Sequence, residues 1–179
     1  AAERLTELLV EVPEIDAPAN PVAVPAPPRG EIEFRNVEFA YPTRPGQAAL
    51  EGLSFTVAQG ETVAIVGPSG AGKSTVFSLL MRFYDPSSGQ VIIDGVDVRD
   101  ADPAEVRGRI AIVPQDVTIF AASAADNIAF GKPGASHDAI LAAARDAHAD
   151  KFISKMPDGY ETQLGERGVT LSGGQRQRV

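Results

Sequence analysis

The chain has 179 residues, 44% of them hydrophobic, the size and apolar content of one globular unit with a core. Its 24 acidic against 16 basic residues give a net charge of −8, and no run of Lys or Arg forms a stripe, so nucleic acid is not expected as a partner. Zero cysteines exclude disulfides and thiolate metal sites. His137 and His148 stand alone in Ala-rich surroundings, and no apolar run approaches the roughly 18 residues of a membrane span.

Taken in chain order, residues 1–29 differ in composition from the rest of the chain. Ala1 to Val12 reads as a short amphipathic helix with Leu5, Leu8, Leu9 and Val12 on one face. Six prolines and no glycine between Pro13 and Pro28 predict an extended, semi-rigid spacer rather than packed structure. A disordered terminus is the other reading of that composition. Glu31 to Phe39 alternates polar and apolar residues around a break at Arg35-Asn36, and Leu53 to Ala58 alternates again. Together they predict a small antiparallel sheet. Tyr41 ends the first of these strands. An aromatic ring there either stacks on a nucleotide base or packs in the core, and the sequence leaves both open.

Thr62 to Phe77, TVAIVGPSGAGKSTVF, carries the chemistry. An apolar strand-length run, Val63 to Val66, enters a loop containing Gly67, Gly70 and Gly72 in the spacing G-x-x-x-x-G-K-S and then a helix over Ser74 to Tyr84. A triphosphate needs its charge neutralised without bulky side chains in the way. Glycines let successive backbone N–H groups face the oxygens, and the helix start adds free N–H groups and the positive end of its dipole. Within this loop Lys73 reaches the β- and γ-phosphates, and the Ser74 hydroxyl ligates Mg²⁺.

After the helix, Gln90 to Asp94 and Val96 to Val98 read as strands about an Asp94-Gly95 hairpin. Asp102-Pro103 starts a helix ending at Arg107, and Ile110 to Val113 is expected as a second buried parallel strand. Gln115 comes just after it, where polar residues in open α/β sheets face the ligand. It either coordinates Mg²⁺ and holds a water or is a plain loop glutamine. Ala121 to Met156 is Ala-rich and helical, broken at Gly131–Gly134 and near Asp150. Leu171-Ser172-Gly173-Gly174-Gln175 is a second glycine turn leading into a helix.

The two glycine motifs, with Leu171 lying 98 positions beyond Lys73, make the chain resemble the ATP-binding-cassette ATPases. The stretches EIEFRNVEFAYPTRP, RFYDPSSGQVIIDG, VPQDVTIFAAS and LGERGVTLSGGQRQR are similar to the exporter type, and the likeness runs from residue 30 onward.

The resemblance implies an α/β fold: a P-loop NTPase core, an N-terminal antiparallel β subdomain, and an α-helical signature subdomain over about 121–179. In it Tyr41 matches the ring that stacks on adenine. Gly67, Pro68, Ser69, Gly70, Ala71, Gly72, Lys73, Ser74 and Thr75 match the segment that wraps the phosphates of ATP. Gln115 matches the glutamine that senses Mg²⁺ and the γ-phosphate. Ser172, Gly173, Gly174 and Gln175 match the signature that touches ATP held by a second cassette.

Gly165 to Gly168 match a loop that signals to the membrane domain, with Gln163 and Leu164 where the family often has Glu and Val. Residues 1–29 are similar to the end of a transmembrane domain and its connector. The implied whole is an exporter at the cytoplasmic face of a membrane, its cassettes pairing around Mg-ATP.

The family pattern continues past Val179 to an Asp-Glu strand and a switch histidine. The chain is therefore expected to be part of a longer exporter, gripping ATP but hydrolysing it poorly by itself. Two other classes fit the motifs: a soluble cassette ATPase of DNA repair or translation, and a non-catalytic ATP-dependent interaction module.

Overall fold

The computed structural model describes Val10, residues 13–165 and residues 170–179. The helix expected over Ala1 to Val12 and the loop residues 166–168 lie outside the described residues, save Val10. The chain divides into two compact units, Ala1–Ala111 and Ile112–Val179.

Unit 1 is built on a four-stranded antiparallel sheet in the order β2-β1-β3-β4, from β1 (Ile32–Ala40), β2 (Ala48–Val57), β3 (Ser88–Ile93) and β4 (Val96–Asp97). The alternation in the sequence sets which face is buried. Phe34, Val37 and Phe39 of β1 and Val91 of β3 are 4% exposed or less, while Arg35, Asn36 and Glu38 face water. Phe34 lies directly opposite Phe55 in the β1–β2 register, and their rings stack at 4.7 Å. The expected break falls at Asn36, where φ is +45° and the register shifts between Phe34 and Val37. There the Asn36 N–H donates to Ser54 Oγ at 2.8 Å.

Helix α1 (Lys73–Leu80) is shorter than the Ser74 to Tyr84 expected, because Arg82 takes φ +50° and the chain turns after Leu80. Its Val76, Leu79 and Leu80 join the buried sheet residues with Val98, Ala101 and Val106 in one core. Val106 belongs to α2 (Pro103–Arg107), which Asp102 caps by accepting from the Ala104 N–H at 2.7 Å, as the Asp-Pro pair predicts.

Two expectations fail in this unit. No strand forms over Val63 to Val66, and the same holds for Ile110 to Val113 across the boundary between the units. A buried parallel strand exists only with hydrogen-bonded neighbours and covered faces. Among the described residues neither run has a ladder partner, and Val66 is 87% and Val113 71% exposed.

The proline-rich spacer also differs from expectation, because it is fastened down. Val24 is 3% exposed, and its N–H donates to Glu105 Oε1 at 3.2 Å. The Arg109 guanidinium donates to the Val24 and Pro25 carbonyls at 2.7 and 2.6 Å and to Glu105 Oε1 at 2.9 Å. Asp94, 2% exposed, accepts from the backbone N–H groups of Arg29 at 3.1 Å and Glu31 at 2.9 Å. Prolines leave few backbone donors, so the N–H groups that remain and the carbonyls are met by side chains.

Asp94→Ala is expected to destabilise unit 1 by about 3 kcal/mol, since a buried carboxylate accepting two N–H bonds beside Arg109 is lost. Hydrogen exchange at the Arg29 and Glu31 amides of the full-length protein should speed at least about tenfold. Unchanged exchange would show that the carboxylate does not hold the strap.

Unit 2 is helical, with α3 (Ala124–Ala129), α4 (His137–Asp146), α5 (Asp150–Ile153), a 3₁₀ turn at Gly159–Glu161 and α6 (Gly173–Arg176). The breaks between α3, α4 and α5 fall where glycine, proline and Asp150 place them in the sequence. Ser123 caps α3 in a capping box with Asp126, and Ser136 caps α4 through the Ala139 N–H. Ala124, Ala144, Ala149, Ile153, Leu164 and Leu171 form a separate core. Tyr160 donates to Asp150 Oδ1 at 2.8 Å, and burial with this carboxylate beside it pushes the phenol up to about 12. Among the described residues, no helix is long and apolar enough to cross a membrane.

Candidate functional site

The predicted site residues fall into two groups, one in each unit. In unit 1 the glycine-rich loop Gly67 to Ala71 is exposed and closes on itself through a bond from the Ala71 N–H to the Pro68 carbonyl at 3.3 Å. Gly72 is the N-cap of α1 with φ +79° and ψ +9°, in the left-handed region that glycine enters freely. A Cβ built there would lie 2.4 Å from the Ala49 carbonyl oxygen and 2.9 Å from Leu50 Cδ2. The loop therefore rests directly on the backbone of β2, and only a residue without a side chain allows that approach.

No side chain caps α1, whereas Asp102, Ser123, Ser136 and Ser172 each cap the helix they precede. Among the described residues, the N–H groups of its first turn thus have no intrahelical or side-chain acceptor, and that turn holds no acidic residue. Lys73, at the first position, folds back so that Nζ donates to the Gly67 carbonyl at 2.8 Å and the Pro68 carbonyl at 2.6 Å. This bond pair holds the ammonium over the mouth of the loop. Ser74 is exposed beside it, while Thr75 is 4% exposed.

Tyr41 sits half-buried at the end of β1, and its hydroxyl lies 3.0 Å from Thr75 Oγ1. The ring packs against the core cluster, and its hydroxyl reaches the residue next to Ser74. The bond to Thr75 spans 34 positions and has no signal in the sequence.

This donor set suits a polyphosphate: free helix N–H groups, one ammonium and one accessible hydroxyl. It also suits Mg²⁺, which is commonly held by one or two side chains together with substrate phosphates and water. No group of three or more His, Cys, Asp or Glu side chains able to hold a metal by itself occurs among the described residues. The Asp94 carboxylate is committed to the Arg29 and Glu31 amides.

In unit 2, Gln115 and the 171–175 turn come together. A cavity of about 470 Å³ is lined by Gln115, Asp116, Val117, Leu171, Gly173 and Arg176 among others. The Gln177 side chain points its Nε2 at the Pro114 and Gln115 carbonyls at 3.4 and 3.5 Å. Ser172 and Gln175 form a capping box. Ser172 Oγ accepts from the Gln175 N–H at 3.3 Å, and Gln175 Oε1 accepts from the Ser172 N–H at 2.9 Å. Gly173 and Gly174 are exposed on the turn so made. Arg178 ties it to the rest of the unit, donating from Nε to the Gly174 carbonyl at 3.0 Å with its guanidinium 5.8 Å from the Phe152 ring centre. In the sequence Arg176, Gln177 and Arg178 are only the residues after the turn; the Gln177 bonds and the ring contact of Arg178 depend on partners distant along the chain.

Comparison with known proteins gives a consistent picture. A family model described as "ABC transporter" matches residues 50–179. ABC transporter B family member 1 of Dictyostelium discoideum is 46% identical over 179 residues, covering 100% of this chain and 20% of that protein. The mitochondrial potassium channel ATP-binding subunit of Xenopus tropicalis is 53% identical over 152 residues, covering 84% of this chain and 22% of that protein. Among solved structures, a bacterial Atm1-family ABC exporter with ATP bound superposes with a TM-score of 0.86 at 45% identity, covering 99% of this chain and 30% of that one. The chain thus spans about a fifth of the length of the curated relatives it matches.

Proposed function

The chain belongs to the ABC transporter family, and we propose that it is an ATP-binding cassette whose pairing with a second cassette powers export of a solute across a membrane. The observation that carries this reading is the uncapped start of α1, with Lys73 held over an exposed glycine loop. Its transporter relatives, and the lack of any basic stripe in the sequence, favour it over a nucleic-acid-directed ATPase.

In this mechanism, residues 67–75 bind the triphosphate through backbone N–H groups and Lys73, and Tyr41 stacks on adenine. Ser74 and Gln115 are the side chains that would hold Mg²⁺, and the ion would supply charge neutralisation at the phosphates. Ser172, Gly173, Gly174 and Gln175 approach the γ-phosphate bound by the partner cassette, so the triphosphate favours the closed pair by the contacts it makes only there. Opening after hydrolysis would move the membrane domains, placing the cassette at the cytoplasmic face.

Ser172 offers a test that separates a trans-phosphate role from a helix-capping one. Ser172→Ala removes a cap worth about 1 kcal/mol, so it alone is ambiguous. Ser172→Asp keeps a strong N-cap but sets a carboxylate against the partner's phosphate. Both variants should retain MgATP binding by the single cassette, and both should lose ATP-dependent pairing by at least about tenfold in the full-length protein. If Ser172→Asp pairs as well as wild type, the serine serves only its own helix.

A further inference from the structure

On the reading of residues 67–75 as the triphosphate seat, we propose that Tyr84 is a positioning residue for the nucleotide base. Together with Thr75 it fixes the ring of Tyr41, so that base platform and phosphate seat form one body. The ring of Tyr41 meets Tyr84 edge-to-face at 5.3 Å and 87°, and Phe39 at 4.9 Å and 79°. Phe39 and Tyr84 also touch each other, with centroids 5.5 Å apart, so the three rings close a triangle. The Tyr41 hydroxyl lies 3.0 Å from Thr75 Oγ1.

These contacts restrain different freedoms. Edge-to-face neighbours fix the plane of the ring, and a hydroxyl partner fixes its tip. Both anchors flank one element: Thr75 lies in the first turn of α1 and Tyr84 just past the Leu80 end. The loop that leads into α1 is pressed on Ala49 and Leu50 of β2 at Gly72. A displacement of α1 would therefore carry the ring and the phosphate loop together. Tyr41 remains only half-buried, with surface left for a base to cover.

The experiment compares two ligands that share the triphosphate and differ in the base: MgATP and magnesium tripolyphosphate, titrated into the full-length protein. Tyr84→Ala should weaken MgATP about fivefold while leaving tripolyphosphate within about twofold, since only the ring orientation is lost. Tyr84→Phe keeps the edge contact and should bind both like wild type. Tyr84→Leu, which preserves apolar volume without a ring, should repeat the alanine result and stands in if the alanine variant does not fold.

A Tyr84→Ala or Tyr84→Leu protein that weakens both ligands equally, or neither, overturns the assignment. Wild-type protein that binds neither ligand overturns the nucleotide reading beneath it, a result distinct from the other two.

Discussion

Lys73→Ala is expected to lower MgATP affinity on the order of a hundredfold, with the fold left intact. A unit charge about 4 Å from a phosphate oxygen is worth about 4 kcal/mol at the effective dielectric of a partly exposed site. Against this stand partial dehydration of the ammonium and the loosening of its bonds to the Gly67 and Pro68 carbonyls. A net loss of about 2.7 kcal/mol is what remains, which is the hundredfold.

The stability cost should be small, because both carbonyls lie in an exposed loop where water replaces the lost donor. Lys73→Arg should fail nearly as badly, since a bulkier planar guanidinium cannot take the place of a compact ammonium acting as a point charge inside the tight glycine loop. Titration calorimetry on the full-length protein, with thermal melting as control, reads both quantities. An alanine variant binding within threefold of wild type would remove Lys73 from the phosphate seat.

What the sequence reveals and what it hides divide by distance along the chain. The antiparallel strands, the bulge at Asn36, the Asp102 and Ser136 caps and the breaks among α3 to α5 all arise from residues within a few positions of one another. The loop with Lys73 is legible because its chemistry is local: glycines, a helix start and one ammonium in fixed spacing. The strand predicted at Val63 to Val66 is of another kind. Its apolar residues say only that it could be covered on both faces, and pairing depends on neighbours that the described residues do not supply.

The proline-rich strap escapes the sequence for a related reason. Composition speaks of stiffness, but the partners that hold it lie 63 to 85 positions away, in Asp94, Glu105 and Arg109. Asp94 itself is legible as a hairpin residue. Its second task, capping the arriving strap, leaves no trace in its neighbours. The comparisons then narrow a nucleotide-binding fold to a transporter family, which the loop geometry alone does not do.

Gly72→Ala tests whether β2 sets the position of the phosphate loop. At φ +79° an alanine costs about 1–2 kcal/mol from backbone conformation alone. The greater effect is steric. The new Cβ would stand 2.4 Å from a carbonyl oxygen of Ala49, the β2 residue at the register shift between the Phe39–Leu50 and Ala40–Ala48 pairs, so the strand would have to give way or the loop would have to lift. Either outcome adds about 1–3 kcal/mol and displaces the N–H groups of the first turn of α1 from one another.

Gly70 is the natural control. It also has a positive φ, +83°, yet a Cβ there meets nothing within 4 Å. Gly70→Ala should thus lose about 1–2 kcal/mol of stability and keep most of its MgATP affinity. Gly72→Ala should lose more stability and bind MgATP at least about tenfold more weakly.

Gly89→Ala supplies the converse control, because its Cβ would clash with the Arg35 and Asn36 carbonyl oxygens inside the sheet, away from the loop. It should destabilise unit 1 comparably while the folded fraction retains nucleotide affinity. Equal affinity losses in the Gly70 and Gly72 variants would mean that the loop finds its shape without the strand beneath it. A selective loss at Gly72 makes the β2 backbone part of the nucleotide site, though none of its atoms need touch the ligand.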